Sequence, residues 1–572
     1  MKTTKTMVKL AEPLVGRDEE LRTLEEALRS GRPEFVAVYG RRRVGKTFLV
    51  RKAFGDRFAF QHAGLSEGGM KDQLEAFADS MRRAFGTQGP PPATWIAAFG
   101  SLADALSRRR GRKVVFLDEL PWMDTPNARF MPALEHFWNG WASGRDDVVL
   151  VVCGSAASWI VRKIVDNYGG LHDRLTHLVR LVPFTLGECR RFAAAKGLRR
   201  ADRQLADLYL AFGGIPFYWS LVRRGESPAQ AVDRLCFGET GGLHREFGRL
   251  YASLFRRPEP YVATVEAMAR RSAGMTREEL LAAVGQEDNG AFSRILEDLE
   301  SCGFVRRYRF PGKKERDSLW QLLDPFTLFH IRFLADDSRV GRGNWLAGAS
   351  SHARATWSGL AFERLCLQHV PQIKRALGIA GVSTAVHAAR IPPGPDGEPG
   401  AQIDLVLDRA DGIANLCEMK YSSDLFAVSS KYRSELLAKV SAYQRAFGAR
   451  KTVHVTLVTA TGLRPNENAD VVQSEVRLAD LFADACPAPP RPARDRRPCT
   501  AWLPPRRLRP GVAASPLAIV GFHGRNSRRL VVSSLVPDAP PSGRDATATD
   551  PVPAVAASAG TRPGRVVFAR AR

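Results

Sequence analysis

The stretch "VAVYGRRRVGKTFLV" is the feature that most constrains how this chain can fold. It contains the Walker A pattern G-x-x-x-x-G-K-T, made by Gly40, Gly45, Lys46 and Thr47, between an apolar strand and the start of a helix. Glycines let backbone N–H groups curl around phosphate oxygens, and the helix N-terminus adds partial positive charge. The motif therefore predicts a nucleotide-binding loop between a strand and a helix.

The residue types in this loop suit a triphosphate such as ATP. We expect Lys46 to reach the β- and γ-phosphates and the Thr47 hydroxyl to hold Mg²⁺. The residues between the two glycines belong to the same predicted nucleotide-binding loop: Arg41, Arg42, Arg43 and Val44.

Two further strand ends predict the partners of the loop. "KVVFLDELPW" ends an apolar strand in Asp118 and Glu119. We expect Asp118 to bind the Mg²⁺ shell and Glu119 to orient or deprotonate the attacking water. "VVLVVCGSAAS" puts Ser155 at the end of another strand, where its hydroxyl either senses the γ-phosphate or caps a helix. Because strands alternate with helical stretches through residues 1–220, the pattern predicts an α/β fold with a parallel sheet.

These motifs occur in the order of a known family. "LVGRDEELRTLEEAL", "VCGSAASWI", "GGLHDRLTHLVRLVPFTLGEC" and "FGGIPFYW" together resemble the archaeal-type ATPases of the AAA+/STAND region of the P-loop NTPases, over roughly residues 12–340. The resemblance implies that Arg17 lies near the adenine and that Arg174 is a candidate for contacting the γ-phosphate. It also implies that Gly214 and Pro216 match the element through which a helical lid responds to the bound nucleotide.

The same resemblance has one departure. Members more often have a glycine before the arginine where Asp173 stands here, so a surface salt bridge is the alternative role for Arg174.

The segment "MTREELLAAVGQEDNGAFSRILEDLESCGFVRRYRF" predicts a winged helix. Thr276 caps one helix, a second helix stops at Gly303, and two short strands flank the polar turn "PGKKERD". The second helix could enter a major groove while nearby cations contact phosphates: Arg306, Arg307, Lys313 and Lys314. Its acidic residues argue against DNA reading, and a regulatory arm packed on the ATPase is the alternative.

A second cluster of charged residues follows far downstream. Glu418 and Lys420 share one face of a strand, and Asp404 lies on the preceding strand, so a hairpin would put the two carboxylates side by side. Such a pair repels unless a cation lies between them, and Mg²⁺ would serve. The arrangement resembles the active-site pattern of restriction-endonuclease-like nucleases, with Glu363 as the acid on an opening helix and Lys420 beside the hydrolytic water. A plain strand end is the alternative.

The net charge of the chain indicates what kind of partner it binds, and its cysteine pattern and apolar runs indicate its cellular compartment. The net charge is +24 with a pI near 10.1, which favours a nucleic acid partner. From Pro487 to Arg572 there are 15 Arg and 4 Asp without Lys or Glu, so this segment carries +11 and the body about +13. No run of 18 apolar residues, signal-peptide core or CxxC pair occurs, so we expect a cytoplasmic protein with reduced thiols and no membrane contact.

Together these patterns predict an ATP-hydrolysing switch protein that acts on DNA, with ATP and Mg²⁺ as cofactors. The rival hypothesis is a signalling ATPase whose downstream modules only bind a protein partner or nucleic acid; an oligomer is compatible with either. The predicted domains are a P-loop ATPase core, a helical lid, a winged helix, a small α/β restriction-endonuclease-like domain and a disordered Pro/Arg-rich tail, at 1–185, 186–255, 256–345, 346–485 and 486–572.

Overall fold

The structure is a computed structural model of the 572-residue chain. It describes residues 14–165, 171, 173–308, 318–336, 341, 343–348, 351–448 and 451–484. The predicted tail and the turn that carries Lys313 and Lys314 lie outside these residues.

A parallel sheet forms the centre of the N-terminal region. Its strands stand in the order β2-β3-β4-β1-β5, and every neighbouring pair is parallel, as the alternation of strands and helices predicted. All residues of β1, β3 and β4 are buried, which explains their continuous apolar sequences. The strands are β1 Glu34–Gly40, β2 Phe58–Ala63, β3 Lys113–Asp118, β4 Val148–Gly154 and β5 His177–Leu181.

Helices cover this sheet and connect its strands. They are α1 Asp18–Arg29, α2 Lys46–Phe54, α3 Met70–Phe85, α4 Trp95–Ser107, α5 Leu120–Met123, α6 Phe130–Gly140 and α7 Ala157–Ile160. The connection from β1 to α2 is the phosphate loop, Gly40–Thr47.

The next region is helical, as expected for residues 186–255. Thr185 begins it by forming a capping box with Glu188, which satisfies backbone N–H groups at the start of the first helix. The helices are α8 Leu186–Ala195, α9 Asp202–Phe212, α10 Pro216–Ser220, α11 Pro228–Val232 and α12 Glu246–Leu254.

A helix–hairpin module follows. Thr276 caps the helix at Arg277–Val284 with the help of Glu279. The two strands of the module pair antiparallel, with Val305 opposite Leu322 and Tyr308 opposite Leu319, as the sequence pattern predicted. The elements are α13 Glu259–Ala269, α14 Arg277–Val284, α15 Gly290–Ser301, β6 Val305–Tyr308 and β7 Leu319–Leu322, followed by α16 Pro325–Phe333 and α17 Asn344–Ala347.

A mixed sheet organises the C-terminal domain. Its strand order is β14-β12-β10-β9-β8, in which β8, β9 and β10 run antiparallel and β10, β12 and β14 run parallel. Its strands are β8 Thr384–Ile391, β9 Ala401–Arg409, β10 Ile413–Lys420, β12 Thr452–Thr459 and β14 Ser474–Arg477. A separate two-stranded parallel sheet is formed by β11 Phe426–Ala427 and β13 Leu463–Arg464. The helices are α18 His352–Gln368, α19 Val370–Ala376 and α20 Ser430–Phe447.

One apolar core extends from the N-terminal sheet through the helices to α18 and to Leu405 and Cys417 in the C-terminal sheet. Within the described ranges the cysteines are free and buried, which agrees with the predicted reduced thiols: Cys153, Cys189, Cys236, Cys302, Cys366 and Cys417. None of the helices described is long and apolar enough to cross a membrane.

Candidate functional site

The phosphate loop is shaped by two glycines. Gly40 has a φ of 151°, and a Cβ there would stand 2.1 Å from the carbonyl oxygen of Leu181 in β5, so no side chain fits. Gly45 has a φ of 93° and precedes Lys46, the first residue of α2. The first-turn N–H groups of α2 have no acceptors within the helix, which leaves them free to bind an anion.

Lys46 and Glu119 meet at one hydroxyl. Lys46 is 5% exposed, and its ammonium donates to Ser155 Oγ at 3.0 Å and to the carbonyl oxygens of Gly40 and Arg41. Ser155 in turn donates through Oγ to Glu119 Oε1 at 2.6 Å and through its backbone N–H to Oε2 at 3.1 Å. Ser155 therefore joins the lysine of the loop to the carboxylate at the end of β3.

Thr47 and Asp118 form the second contact across the sheet edge. The Thr47 hydroxyl donates to Asp118 Oδ2 at 2.8 Å, and the backbone N–H of Glu119 donates to Asp118 Oδ1 at 3.0 Å. A hydroxyl and a carboxylate oxygen are the ligand types that Mg²⁺ prefers. The described residues contain no group of three or more His, Cys, Asp or Glu side chains that could hold a metal ion, so Mg²⁺ here would also need phosphate and water oxygens.

A cavity of about 260 Å³ opens beside the loop and is mostly apolar. Arg17 lines it but is 6% exposed, and its guanidinium donates to the Val182 carbonyl oxygen and lies 5.0 Å from the centre of the Phe184 ring. The dimensions and apolar walls suit a purine base. The remaining walls are Leu14, Val15, Arg43, Val44, Gly45, Phe48, Phe192, Pro216, Phe217 and Ser220.

Gly214 and Pro216 lie close to the sheet edge. A Cβ at Gly214 would stand 1.9 Å from the carbonyl oxygen of Phe184, so the chain can pass only because this residue is glycine. Pro216 starts α10 and lines the cavity described above. Arg174 is exposed on the loop before β5, and its backbone N–H donates to Leu171 O at 3.1 Å.

Two of the three loop arginines form ion pairs with carboxylates from other regions of the chain. Arg41 forms a buried ion pair with Asp324, and Arg43 pairs with Glu246 at 2.9 Å, while Arg42 is partly exposed. Any contact of Arg41 with a nucleotide therefore comes from its backbone groups, whereas Arg43 also lines the apolar cavity beside the loop. Sequence reasoning missed both acidic partners, because nothing local marks residues that lie about 200 and 283 positions downstream.

The second predicted site lies on the β9–β10 hairpin. The β9–β10 pairing extends as far as Cys417 and Leu405, the neighbours of Glu418 and Asp404. Glu363 and Tyr432 each interact electrostatically with both of these carboxylates. Glu363 stands on α18, which packs against β10. The predicted hairpin is therefore present, and the juxtaposition of Asp404 with Glu418 stays a prediction.

Glu363 interacts electrostatically with every other member of this cluster. Burial, followed by repulsion from Asp404 and Glu418, raises the pKa of Glu363 to about 7, whereas Arg364 and Lys420 lower it. Since the Glu363 side chain is 24% exposed, the desolvation is partial. Carboxylates that perturb one another in this way are a recognised mark of candidate functional sites.

Glu418 already has two partners that sequence reasoning missed. Lys439 Nζ lies 2.5 Å from Oε1, and the Tyr432 hydroxyl donates to Oε2 at 3.2 Å. Lys420 points its ammonium at the Tyr432 ring, 4.3 Å from the centroid. Tyr432 and Lys439 are seven residues apart on α20, a spacing that puts them on one helix face and could have signalled a shared target.

Comparison with protein families identifies the N-terminal region. Residues 14–222 match a family model described as "ATPase domain predominantly from Archaea". The matched region is less than half of the chain. A curated relative, "Uncharacterized protein MJECL04" from Methanocaldococcus jannaschii, is 24% identical over 327 residues, covering 56% of this chain and 68% of the relative.

Solved structures are similar at low identity. The Walker-type ATPase paby2304 of Pyrococcus abyssi is 18% identical, with 56% of this chain and 96% of that chain covered and a TM-score of 0.41. The Aeropyrum pernix ORC2 protein, solved as ADPNP-ADP complexes, is 15% identical, with 56% and 93% covered and a TM-score of 0.36. The Aeropyrum pernix ORC1 protein in complex with DNA is 18% identical, with 61% and 96% covered and a TM-score of 0.30.

Proposed function

We propose that the chain binds and hydrolyses ATP at the phosphate loop. The observation that carries the proposal is the convergence of Lys46 and Glu119 on Ser155, with Thr47 and Asp118 in contact beside them. These are the groups that phosphoryl transfer to water requires: a cation for the phosphates, oxygen ligands for Mg²⁺ and a carboxylate that orients water.

Each side chain has a distinct task in this proposal. Lys46 exchanges its contacts with two backbone carbonyls for phosphate oxygens, which accept stronger, charge-assisted hydrogen bonds. Glu119 orients the attacking water and accepts its proton, and Ser155 holds that carboxylate at a fixed distance from the lysine. Mg²⁺, held by Thr47 and Asp118, would neutralise charge on the phosphate oxygens. Arg174 is proposed to contact the γ-phosphate, and the Gly214–Pro216 element is proposed to make the helical lid respond to the bound nucleotide.

Substitution of Lys46 tests the ATP proposal. Lys46→Ala should weaken ATP binding by at least about tenfold, since a charge-assisted contact with phosphate contributes roughly 1.5–3 kcal/mol. Titration of a fluorescent ATP analogue into the full chain measures the effect. Lys52→Ala is the matched control, because Lys52 is exposed on the same helix. Equal affinity in the Lys46 variant and the parent would refute the proposed phosphate loop.

A second proposed function concerns the C-terminal domain. We propose that Glu363, Asp404, Glu418 and Lys420 form a Mg²⁺-dependent, restriction-endonuclease-like site that acts on DNA. The location of Asp404 and Glu418 next to the last pair of the β9–β10 hairpin, together with the electrostatic interaction of both with Glu363, supports this proposal. A Mg²⁺ ion bound by Asp404 and Glu418 would offset the repulsion between carboxylates that burial strengthens.

The Lys439 contact supports the rival function, a nucleic-acid or protein-binding module without catalysis. The Lys439 ammonium already neutralises Glu418, and a cation there would have to displace it. Incubating the full chain with plasmid DNA and Mg²⁺ separates the two functions. Cleavage that disappears in Lys420→Ala supports a nuclease, whereas DNA binding without cleavage supports the binding module.

The proposed winged helix has a restricted DNA-reading face. Its second helix, α15, exposes Arg294 and Glu297, and Asp298 is buried in contacts with Arg162 and Tyr261. Arg306, expected to meet phosphates, instead lies 3.5 Å from the centre of the Tyr308 ring, and burial lowers its pKa to about 10. These observations favour a regulatory arm packed on the ATPase over direct reading of a major groove.

A further inference from the structure

The side chain of Arg41 extends from the phosphate loop to Asp324, at the end of the helix–hairpin module. Its guanidinium forms a two-point ion pair with the Asp324 carboxylate, with Nη2 3.1 Å from Oδ2. Both side chains are 3% exposed, and the guanidinium lies 4.4 Å from the centre of the Phe304 ring. A buried, bidentate pair of this kind fixes both partners, because removing either leaves an uncompensated charge.

Asp324 is itself held firmly on the far side. It lies two residues after the end of β7 and caps α16, accepting a hydrogen bond from the Thr327 backbone N–H at 2.8 Å. The backbone N–H groups of Leu323 and Asp324 donate to the Phe304 carbonyl oxygen at 2.8 and 3.1 Å. The phosphate loop is therefore tied to the end of the β6–β7 hairpin through one carboxylate.

Arg43 makes a parallel connection to the helical region. It pairs at 2.9 Å with Glu246, the first residue of α12, whose side chain is fully buried. Its guanidinium also lies 4.1 Å from the centre of the Phe217 ring in α10, and the Tyr218 hydroxyl donates to Glu246 at 3.3 Å. Two side chains of one short loop thus have acidic anchors outside residues 14–222, the range that matches the ATPase family model.

We propose that Asp324 and Glu246 are positioning residues of the nucleotide site. They hold Arg41 and Arg43 so that the loop backbone keeps the curvature that phosphate binding needs, and they couple nucleotide binding to the docking of the hairpin and the lid. The inference rests on the proposed ATP binding and adds residues and a linkage to it. Because coupling is reciprocal, ATP must strengthen the docking by the same factor by which docking strengthens ATP binding.

The connection continues toward the carboxylate cluster. Tyr308 and Leu319 of the hairpin pack on Ala388 of β8, and Arg306 donates to the Leu367 carbonyl oxygen of α18 at 3.5 Å. The hairpin that Asp324 anchors is therefore in direct contact with the domain that carries Glu363 and Asp404. A change in the position of the hairpin would therefore alter its direct contacts with that domain.

Asp324→Asn is the sharpest test of the positioning role. Asparagine caps helices as well as aspartate does, so the cap on α16 is retained while the charge facing Arg41 is lost. We expect the ATP dissociation constant of the full chain to rise about tenfold, within the range usual for coupled sites. Arg41→Lys, which keeps the charge but loses the forked geometry, should weaken ATP binding less.

Arg162→Ala provides the matched control. It removes an ion pair with Asp298 that also joins the ATPase core to the helix–hairpin module, but it does not touch the loop. This variant should retain parental ATP affinity. If Asp324→Asn and Arg41→Lys bind ATP as the parent does, the positioning role is wrong although ATP binding stands. If the parent binds no ATP, both proposals fail.

Backbone hydrogen exchange provides a readout that a purely structural role would not move. In the parent, ATP should slow exchange of the amides in β6 and β7, because binding favours the docked hairpin. In Asp324→Asn the same amides should lose this dependence on ATP. Slowing by ATP that is equal in the parent and in Asp324→Asn would overturn the proposed linkage.

Discussion

The two charged sites of this protein use the same residue types in different ways. At the phosphate loop, Glu119 is held by the neutral hydroxyl and N–H of Ser155, and Lys46 by carbonyl oxygens and that hydroxyl. In the C-terminal cluster, Glu418 is held by the charge of Lys439. Neutral partners leave the net charge of a group available to a ligand, whereas an ionic partner cancels it. The difference shows that the charge which a strand-end carboxylate can offer to a ligand depends on whether its partners in the protein are neutral or ionic.

The largest change that we predict is a loss of ATP turnover at the nucleotide site, where Glu119 is held by the neutral groups of Ser155. Glu119→Gln should reduce the ATP turnover number by at least about 100-fold, because a positioned general base contributes this much or more. ATP affinity should remain near the parental value, since the amide keeps hydrogen-bonding capacity toward Ser155. Steady-state hydrolysis and nucleotide titration of the same preparation measure the two quantities. A variant that hydrolyses ATP at the parental rate would show that Glu119 has no role with water.

The second prediction tests whether the carboxylates of the C-terminal cluster bind Mg²⁺. Asp404→Asn should lower Mg²⁺ affinity there by roughly tenfold, since one anionic oxygen ligand is lost. It should abolish any plasmid cleavage and leave ATP hydrolysis unchanged. Asp411→Asn, on the exposed turn of the same hairpin, is the control. If calorimetric titration finds identical Mg²⁺ binding in the parent and in Asp404→Asn, the carboxylates do not share a metal.

The third prediction concerns the ionic partner. Lys439→Met should lower the free energy of unfolding by about 2 kcal/mol at neutral pH, because Glu418 is left partly buried without its cation. Chemical denaturation of the full chain measures this change. Lys431→Met, an exposed lysine of α20, should be neutral. Addition of Mg²⁺ should recover stability in Lys439→Met if a metal can take the place of the ammonium; no recovery would favour a non-catalytic module.

The smallest expected effect is the pH dependence that Glu363 causes. Its pKa is raised from 4.5 to about 7, so the folded state binds a proton that the unfolded state releases between these values. The stabilising contribution is complete below about pH 4.5 and is lost as the pH rises through 7. Since the side chain is 24% exposed, we expect a loss on the order of 1–2 kcal/mol.

Glu363→Gln should remove this part of the pH dependence, because the amide does not titrate. Denaturation curves of the parent and Glu363→Gln at pH 5, 6, 7 and 8 would measure the difference between the two slopes. Parallel curves across this range would show that Glu363 has an ordinary pKa and is not part of a crowded cluster.

The sequence by itself determined the local chemistry of both sites. The order of glycines, lysine and threonine fixed the phosphate loop, because a strand, a tight turn and a helix start follow from neighbouring residues. The two-residue spacing of Glu418 and Lys420 fixed their common face, and the short turn between Asp404 and Glu418 predicted the hairpin that the register shows. These features depend on backbone periodicity, which a sequence pattern records directly.

The charged groups that complete each site come from distant parts of the sequence, and only the folded structure identifies them. Arg41 and Asp324 are 283 residues apart, and Lys439 meets Glu418 from the next helix. Such pairs depend on how whole elements pack, and no local spacing encodes that packing. Tertiary packing also placed the partly buried guanidinium of Arg306, which the sequence predicted to contact phosphate, over the Tyr308 ring. The physical reason is that a charge takes its pairing and desolvation from its surroundings in space, which several segments of the chain supply together.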